Sequence, residues 1–217
     1  MDVFVSGGTG YLGRATIGML LARGHDVRAL TRPSSLGRVP PGAAPVIGDA
    51  LDSATFADAL AATTTLVHLV GTPHPNPSKV AEFERVDLAS IRASVEAARQ
   101  TPIAHLVYVS VAQPAPVMRA YVAARAKGEA KIVDAGLTAT ILRPWYVLGP
   151  GHWWPLALKP LYWLAEHVPA TRSIALRMGL VTLAQMVAAL VQAVEHPPAT
   201  GAVRIVDVSG IRGAPRY

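Results

Sequence analysis

Short apolar runs alternate along this chain with longer stretches in which apolar positions recur every three or four residues. The first pattern suits strands covered on both faces, and the second suits helices with one covered face. Residues 2–6 are such a run, and 11–23 place Leu12, Ala15, Met19 and Ala22 on one helical face, with Gly24 as the stop. Residues 26–31 follow after so short a turn that a parallel β-α-β unit is the economical reading. The Pro-, Gly- and Ser-rich segment 32–45 reads as a loop, Val46-Ile47 as a brief third strand, 53–61 as a helix and 66–70 as a buried strand. Pro73, Pro75 and Pro77 then forbid regular structure. Residues 79–100 predict a long amphipathic helix with Leu88, Ile91, Val95 and Ala98 on one stripe. A fifth strand at 104–110, a helix near 118–135 closed by Gly136, and a sixth strand at 138–142 follow. Residues 145–181 read as irregular and aromatic. Thr182 and Gln185 have the spacing of a capping box and open a helix to about residue 196, before a last strand at 202–208 and a loose tail.

Strands alternating with helices predict an α/β fold, a doubly wound and mostly parallel sheet. The 217 residues suit a single domain over 1–217, with 145–181 forming part of a small C-terminal substrate lobe. Hydrophobic residues make up 51% and charged residues 16%, which excludes a disordered chain. The absence of cysteine excludes disulfides, thiolate catalysis and cysteine-based metal sites, and the scattered histidines lack metal-ligand spacing, so no metal is expected. The net charge of +6 comes mostly from arginines spread along the chain without a like-charge run, so nucleic acid is not expected as a partner. No signal-like leader and no bilayer-spanning apolar run is present, and a soluble, cytoplasmic protein is the expectation.

The candidate chemistry begins where the first strand meets the first helix, at Ser6-Gly7-Gly8-Thr9-Gly10-Tyr11-Leu12-Gly13-Arg14. Glycines 8, 10 and 13 satisfy G-x-G-x-x-G, and glycines 7, 10 and 13 satisfy G-x-x-G-x-x-G. One glycine permits the tight turn, another lets backbone amides approach a diphosphate, and the last lets the helix pack on the sheet. The helix end then offers N–H groups and a positive dipole to the phosphates. A dinucleotide site is the reading of this strand–turn–helix context.

With Gly48-Asp49 after the third strand, His105–Ser110 on the fifth and Ile141-Leu142-Arg143-Pro144 on the sixth, the chain resembles an atypical or extended short-chain dehydrogenase/reductase of the NmrA-like NAD(P)H-binding branch. The resemblance covers about residues 1–150 and implies an NAD(P)-binding Rossmann fold. It implies that Gly7, Thr9, Gly10, Tyr11 and Leu12 meet the pyrophosphate. Asp49 would accept from the adenine amino group with Ala50 beside the ring. Val70, Gly71 and Thr72 would pass near the adenosine ribose, and Pro144 and Val147 would border the nicotinamide. Charge selects the cofactor: the second strand ends in Thr31-Arg32, with no carboxylate to accept from a ribose 2′-hydroxyl. Arg32, and Arg14 after the last glycine, suit a 2′-phosphate, so NADP(H) is favoured over NAD(H).

In that family the reaction needs a phenol, a cation beside it and a hydroxyl on the substrate carbonyl, carried by Ser/Thr and Tyr-x-x-x-Lys. This chain offers Ser110 and Tyr121-Val-Ala-Ala-Arg125, with arginine where the family has lysine. Lys127 falls about 200° further round the helix, off that face. Tyr121 reads either as the catalytic phenol or as an aromatic on a helix face. Trp145, Trp153, Trp154 and Trp163 gather near the expected nicotinamide end, as an apolar substrate pocket, a membrane-surface patch or ordinary packing of the small lobe. Three functions follow: an oxidoreductase for a small apolar carbonyl or quinone-like substrate, a non-catalytic NADP(H)-responsive regulator or assembly factor, and a peripheral membrane, quinone-associated protein. Monomer and homodimer both remain open.

Overall fold

The computed structural model describes residues 1–150 and 177–215. Its strands are β1 (Asp2–Ser6), β2 (Asp26–Thr31), β3 (Ala44–Ile47), β4 (Thr65–His68), β5 (His105–Val109), β6 (Ala139–Leu142), β7 (Tyr146–Leu148), β8 (Leu180–Thr182) and β9 (Val203–Val206). Seven of them form one sheet in the order β3-β2-β1-β4-β5-β6-β9, and every neighbouring pair is parallel. The helices are α1 (Tyr11–Ala22), α2 (Ala57–Ala61), α3 (Val80–Glu82), α4 (Ala89–Gln100), α5 (Arg119–Asp134), α6 (Leu183–Glu195) and α7 (Val208–Arg212). A π turn, Phe83–Leu88, joins α3 to α4, so the helix expected over 79–100 is interrupted there.

Alternation along the strands builds two cores. Val3, Val5, Val27, Ala29, Val67 and Val107 point to one face, where Ile17 and Leu20 of α1 and Met186, Leu190 and Val194 of α6 cover them. Phe4, Leu30, Leu66, Leu106 and Ile141 point to the other, against Leu60, Ile91 and Ile132 of α2, α4 and α5. This is the doubly wound, three-layer arrangement expected of the pattern. The Thr182 capping box forms, its hydroxyl accepting from Gln185 N and the Gln185 side chain accepting from Thr182 N.

Four local expectations are corrected. The side of α1 that is covered runs through Gly13, Thr16, Ile17 and Leu20, while Leu12, Ala15 and Met19 are half-buried and Ala22 is exposed. The helix meets the sheet along its glycine, which lets the backbone come closest there. The segment 32–45 holds a 3-10 turn, Pro33–Arg38, and β3 already begins at Ala44. The expected loose tail winds into α7, capped by Asp207, which accepts from Gly210 N at 2.9 Å, and fastened by buried Val208 and Ile211. The described edges of 145–181 are not irregular: β7 and β8 pair in parallel with Val147 opposite Val181.

The sheet interior also carries two histidines. His68 Nδ1 lies 3.1 Å from Ser6 Oγ and 2.9 Å from Ser94 Oγ, and Nε2 lies 3.3 Å from Ser90 Oγ. Burial first, and Arg125 second, push the His68 ring down to about 3. Burial and then Arg204 push His105 down to about 4. Both rings are neutral in the native protein, whereas an unfolded chain takes up their protons near 6.5. Stability is therefore full above that pH and falls as pH drops toward the native values, by about 1.4 kcal/mol per unit for each histidine. Urea unfolding followed from about pH 7 to about pH 4 should show this loss, and His68→Asn should remove about one histidine's share of the slope. A slope unaltered by His68→Asn would contradict the assignment.

Candidate functional site

The turn between β1 and α1 is packed so closely that two of its positions exclude any side chain. Gly7 has φ +80°, and a Cβ there would stand 2.7 Å from the carbonyl carbon of Leu69, just beyond β4. A Cβ on Gly13 would stand 2.2 Å from the Gly7 carbonyl oxygen. Gly10 N donates to that same oxygen at 3.1 Å. Gly10 itself is exposed and starts α1 in an extended conformation, with no side chain capping the helix and no acidic residue in its first turn. Thr9, Tyr11 and Leu12 are half-buried around it. A Cβ on Gly149, just after β7, would stand 1.8 Å from the Tyr11 hydroxyl oxygen, so that phenol lies close against the backbone there. Burial and then Tyr146 push the Tyr11 phenol up. The result is a helix end with no side-chain cap among the described residues, a cradle that fits a diphosphate.

Around this turn the structure places the other candidates at the carboxyl ends of the parallel strands, where α/β sheets bind ligands. Arg32 follows β2, Arg14 lies on the first turn of α1, and both are exposed and in no ion pair among the described residues. Asp49 follows β3, is exposed, and uses Oδ1 to accept from Leu51 N at 2.9 Å, which holds the turn. Ala50 packs against the core of the second face. Val70, Gly71 and Thr72 follow β4. Pro144 is buried beyond β6, its carbonyl accepting from Ala112 N at 2.9 Å, and Val147 sits half-buried in β7.

Two of the three candidate catalytic residues, Tyr121 and the buried cation Arg125, are in contact, and Arg125 holds the carbonyl that precedes the third, Ser110. Arg125 on α5 donates to the Val109 carbonyl, adjacent to Ser110, at 3.0 Å and to the Val70 carbonyl at 3.4 Å. Its guanidinium carbon lies 5.4 Å from the centre of the Tyr121 ring and 5.7 Å from that of Tyr108. The cation thus stacks over the phenol ring. Ser110 is buried at the end of β5, and its hydroxyl has no partner among the described residues. Lys127 leaves this face, as its position predicts, and pairs with exposed Glu84 at 2.6 Å.

Asp87, on the π turn, was not among the sequence candidates and holds the cation. Its Oδ1 lies 2.6 Å from Arg125 Nη2, and the carboxylate is fully buried. Its Oδ2 accepts from Thr72 N at 3.0 Å and Thr72 Oγ1 at 2.5 Å. Burial works against the charge on Arg125, yet Tyr121, Tyr108 and Asp87 together hold its pKa above the ordinary arginine value. Removing one partner of such a buried pair typically costs about 3–5 kcal/mol. The available signal was a carboxylate one turn ahead of Ile91, in line with an otherwise apolar stripe. Glu129, one turn after Arg125, is likewise buried and accepts from Gln113 Nε2 at 2.6 Å and Arg143 Nε at 3.0 Å. Among the described residues no group of three or more histidines and carboxylates can hold a metal ion, and no helix is long and apolar enough to cross a membrane.

Residues 7–149 match the NAD(P)H-binding family. Over 171 residues, 69% of this chain, the sequence is 29% identical to 51% of a 4-hydroxy-2-methyl-3-oxo-4-farnesyl-3,4-dihydroquinoline-1-oxide ketoreductase from Stigmatella aurantiaca. Over 180 residues, 70% of this chain, it is 31% identical to 58% of a 3-diazoavenalumate denitrifying reductase from a Streptomyces species. The chain therefore spans little more than half the length of these curated relatives. Among solved structures, MoeE5 in complex with UDP-glucose and NAD superposes with a TM-score of 0.71 at 20% identity, over 97% of this chain and 79% of that one. A short-chain dehydrogenase/reductase superfamily protein from Agrobacterium tumefaciens with bound NAD gives 0.68 at 18% identity, over 98% and 81%. These likenesses establish the Rossmann-type fold, and with the match over residues 7–149, which include the glycine turn, the chain belongs to the NAD(P)H-binding family.

Proposed function

We propose that this chain is an NADP(H)-dependent oxidoreductase acting on a small apolar carbonyl or quinone-like substrate. The observation that carries the reading is the turn at Gly7–Gly13, where two side chains are sterically excluded and the end of α1 is left uncapped. Gly7, Thr9, Gly10, Tyr11 and Leu12 hold the diphosphate; Asp49 and Ala50 meet the adenine; Val70, Gly71 and Thr72 line the ribose; Pro144 and Val147 border the nicotinamide. Exposed Arg14 and Arg32, with no carboxylate ending β2, support a 2′-phosphate. The cofactor, when bound, supplies the hydride.

The chain supplies the proton and the orientation. Tyr121 gives its phenolic proton to the substrate oxygen as charge develops there, turning a carbonyl into an alcohol. Arg125, held over the Tyr121 ring, supplies a fixed positive field. The Ser110 hydroxyl, without a partner among the described residues, donates to the same substrate oxygen and orients it. A relative described as a ketoreductase supports carbonyl chemistry for the shared portion. The aromatic residues that motivated a membrane-surface reading, Trp153, Trp154 and Trp163, lie outside the described residues. A second reading, a non-catalytic NADP(H)-responsive regulator, draws on the ion pair of Arg125 with Asp87, which neutralises the cation.

Two measurements test this reading. Calorimetric titration of NADPH and NADH side by side should favour NADPH by about tenfold or more, and Arg32→Ala should remove most of that preference. Tighter NADH binding would overturn the cofactor assignment. Tyr121→Phe should reduce carbonyl turnover by at least about 100-fold while NADPH affinity stays within about twofold. Full turnover in that variant would remove Tyr121 from the chemistry, and no turnover by the parent across carbonyl and quinone substrates would favour the regulator.

A further inference from the structure

The reading above leaves Asp87 without a part in binding or chemistry, although it is a fully buried carboxylate. Its two oxygens face different elements. Oδ2 takes both hydrogens that Thr72 offers, from the backbone amide and from the hydroxyl, in the segment after β4. Oδ1 forms an ion pair with Nη2 of Arg125 on α5, at 2.6 Å. The turn that carries it also carries Phe83, whose ring centre lies 5.0 Å from that of Tyr121, one helical turn before Arg125. The π turn therefore grips α5 at two successive positions on one face, by a ring contact and by an ion pair.

The segment after β4 is shaped to receive that grip. A Cβ on Gly71 would stand 2.1 Å from Arg125 Nη2 and 3.1 Å from Asp87 Oδ1, so only glycine leaves room for the pair. Arg125 also donates to the carbonyl of Val70, one residue earlier. Val70, Gly71 and Thr72 are thus tied through Asp87 and Arg125 to the helix that presents Tyr121. Low local polarity makes such charge-assisted bonds strong and their geometry narrow.

We propose that Asp87 is a positioning residue that couples the nucleotide-facing segment after β4 to the helix carrying Tyr121, so that ordering the first orders the second. The proposal rests on the oxidoreductase reading for its purpose, but the clamp itself is a property of the chain alone. Asp87 touches neither substrate nor cofactor. It acts through Thr72 on one side and Arg125 on the other.

Hydrogen exchange read by mass spectrometry on the full chain, without and with NADPH, tests the coupling. In the parent, NADPH should slow exchange in peptides covering 70–73 and also in peptides covering 119–127. In Asp87→Asn, which keeps the shape and removes the charge, ligand-free exchange should rise at least about tenfold in both segments together. NADPH should then protect 70–73 only. A role confined to stability would loosen the segments without uncoupling the two protections. Thr72→Val, which deletes one donor and leaves the ion pair, should weaken the coupling in the same direction and decides the matter if Asp87→Asn does not fold. The proposal is overturned if protection of 119–127 by NADPH survives in the variant, or if only the π turn loosens. Should NADPH not bind the parent, the oxidoreductase reading fails, and the ligand-free comparison still decides the clamp.

Discussion

A methyl group on Gly13 would lie 2.2 Å from the Gly7 carbonyl oxygen, and one on Gly7 would lie 2.7 Å from the backbone beyond β4. Everything at the carboxyl edge of the sheet is arranged around this contact of backbone with backbone. It brings α1 down on β1 along Gly13, Ile17 and Leu20, where its covered residues enter the core shared with α6. The N-cap of α1, Gly10, has no side chain, and no described side chain caps the helix end, where the positive end of its dipole lies. Packing and binding are here one requirement: a side chain that fills the contact at Gly13 would push the helix off the sheet and close the cradle together.

How much of this was legible in the sequence depends on the range of the interaction. The glycine turn, the capping box at Thr182 and the strand–helix alternation are local patterns, and each forms where the residues place it. The covered side of α1 was misread because apolar size was counted, whereas a glycine sets the line of closest approach. The pairing of β7 with β8 joins residues on either side of the aromatic segment, and three-residue strands carry too little alternation to announce themselves. Asp87 looks like a surface charge in isolation, and Arg125 stands out only as the arginine at the lysine position of the resemblance. Only the topology, which sets α4 beside α5 and the end of β4 between them, turns two polar residues into a buried pair.

The candidate chemistry divides along the same line. The proposed nucleotide cradle follows from the backbone geometry of the glycine turn, which lies within the family match, and a fold of this kind hosts many reactions. The side proposed for chemistry rests on side chains instead: an arginine stacked on Tyr121, a carboxylate that neutralises it, and a buried Ser110 hydroxyl with no partner among the described residues. An arginine fixed by Asp87 and two backbone carbonyls is a rigid charge, unlike the mobile ammonium of a lysine.

The account turns on amides at the start of α1 resting against a diphosphate, and Gly10 allows that to be tested with the fold intact. It is exposed and its backbone is in an ordinary extended conformation, and a Cβ there would stand 3.2 Å from the Gly7 carbonyl oxygen, a tight approach to the turn. NADPH titration into Gly10→Leu, with thermal unfolding to establish that the variant is folded, should show an affinity at least about 100-fold below the parent. Parental affinity in a folded Gly10→Leu variant would contradict the account.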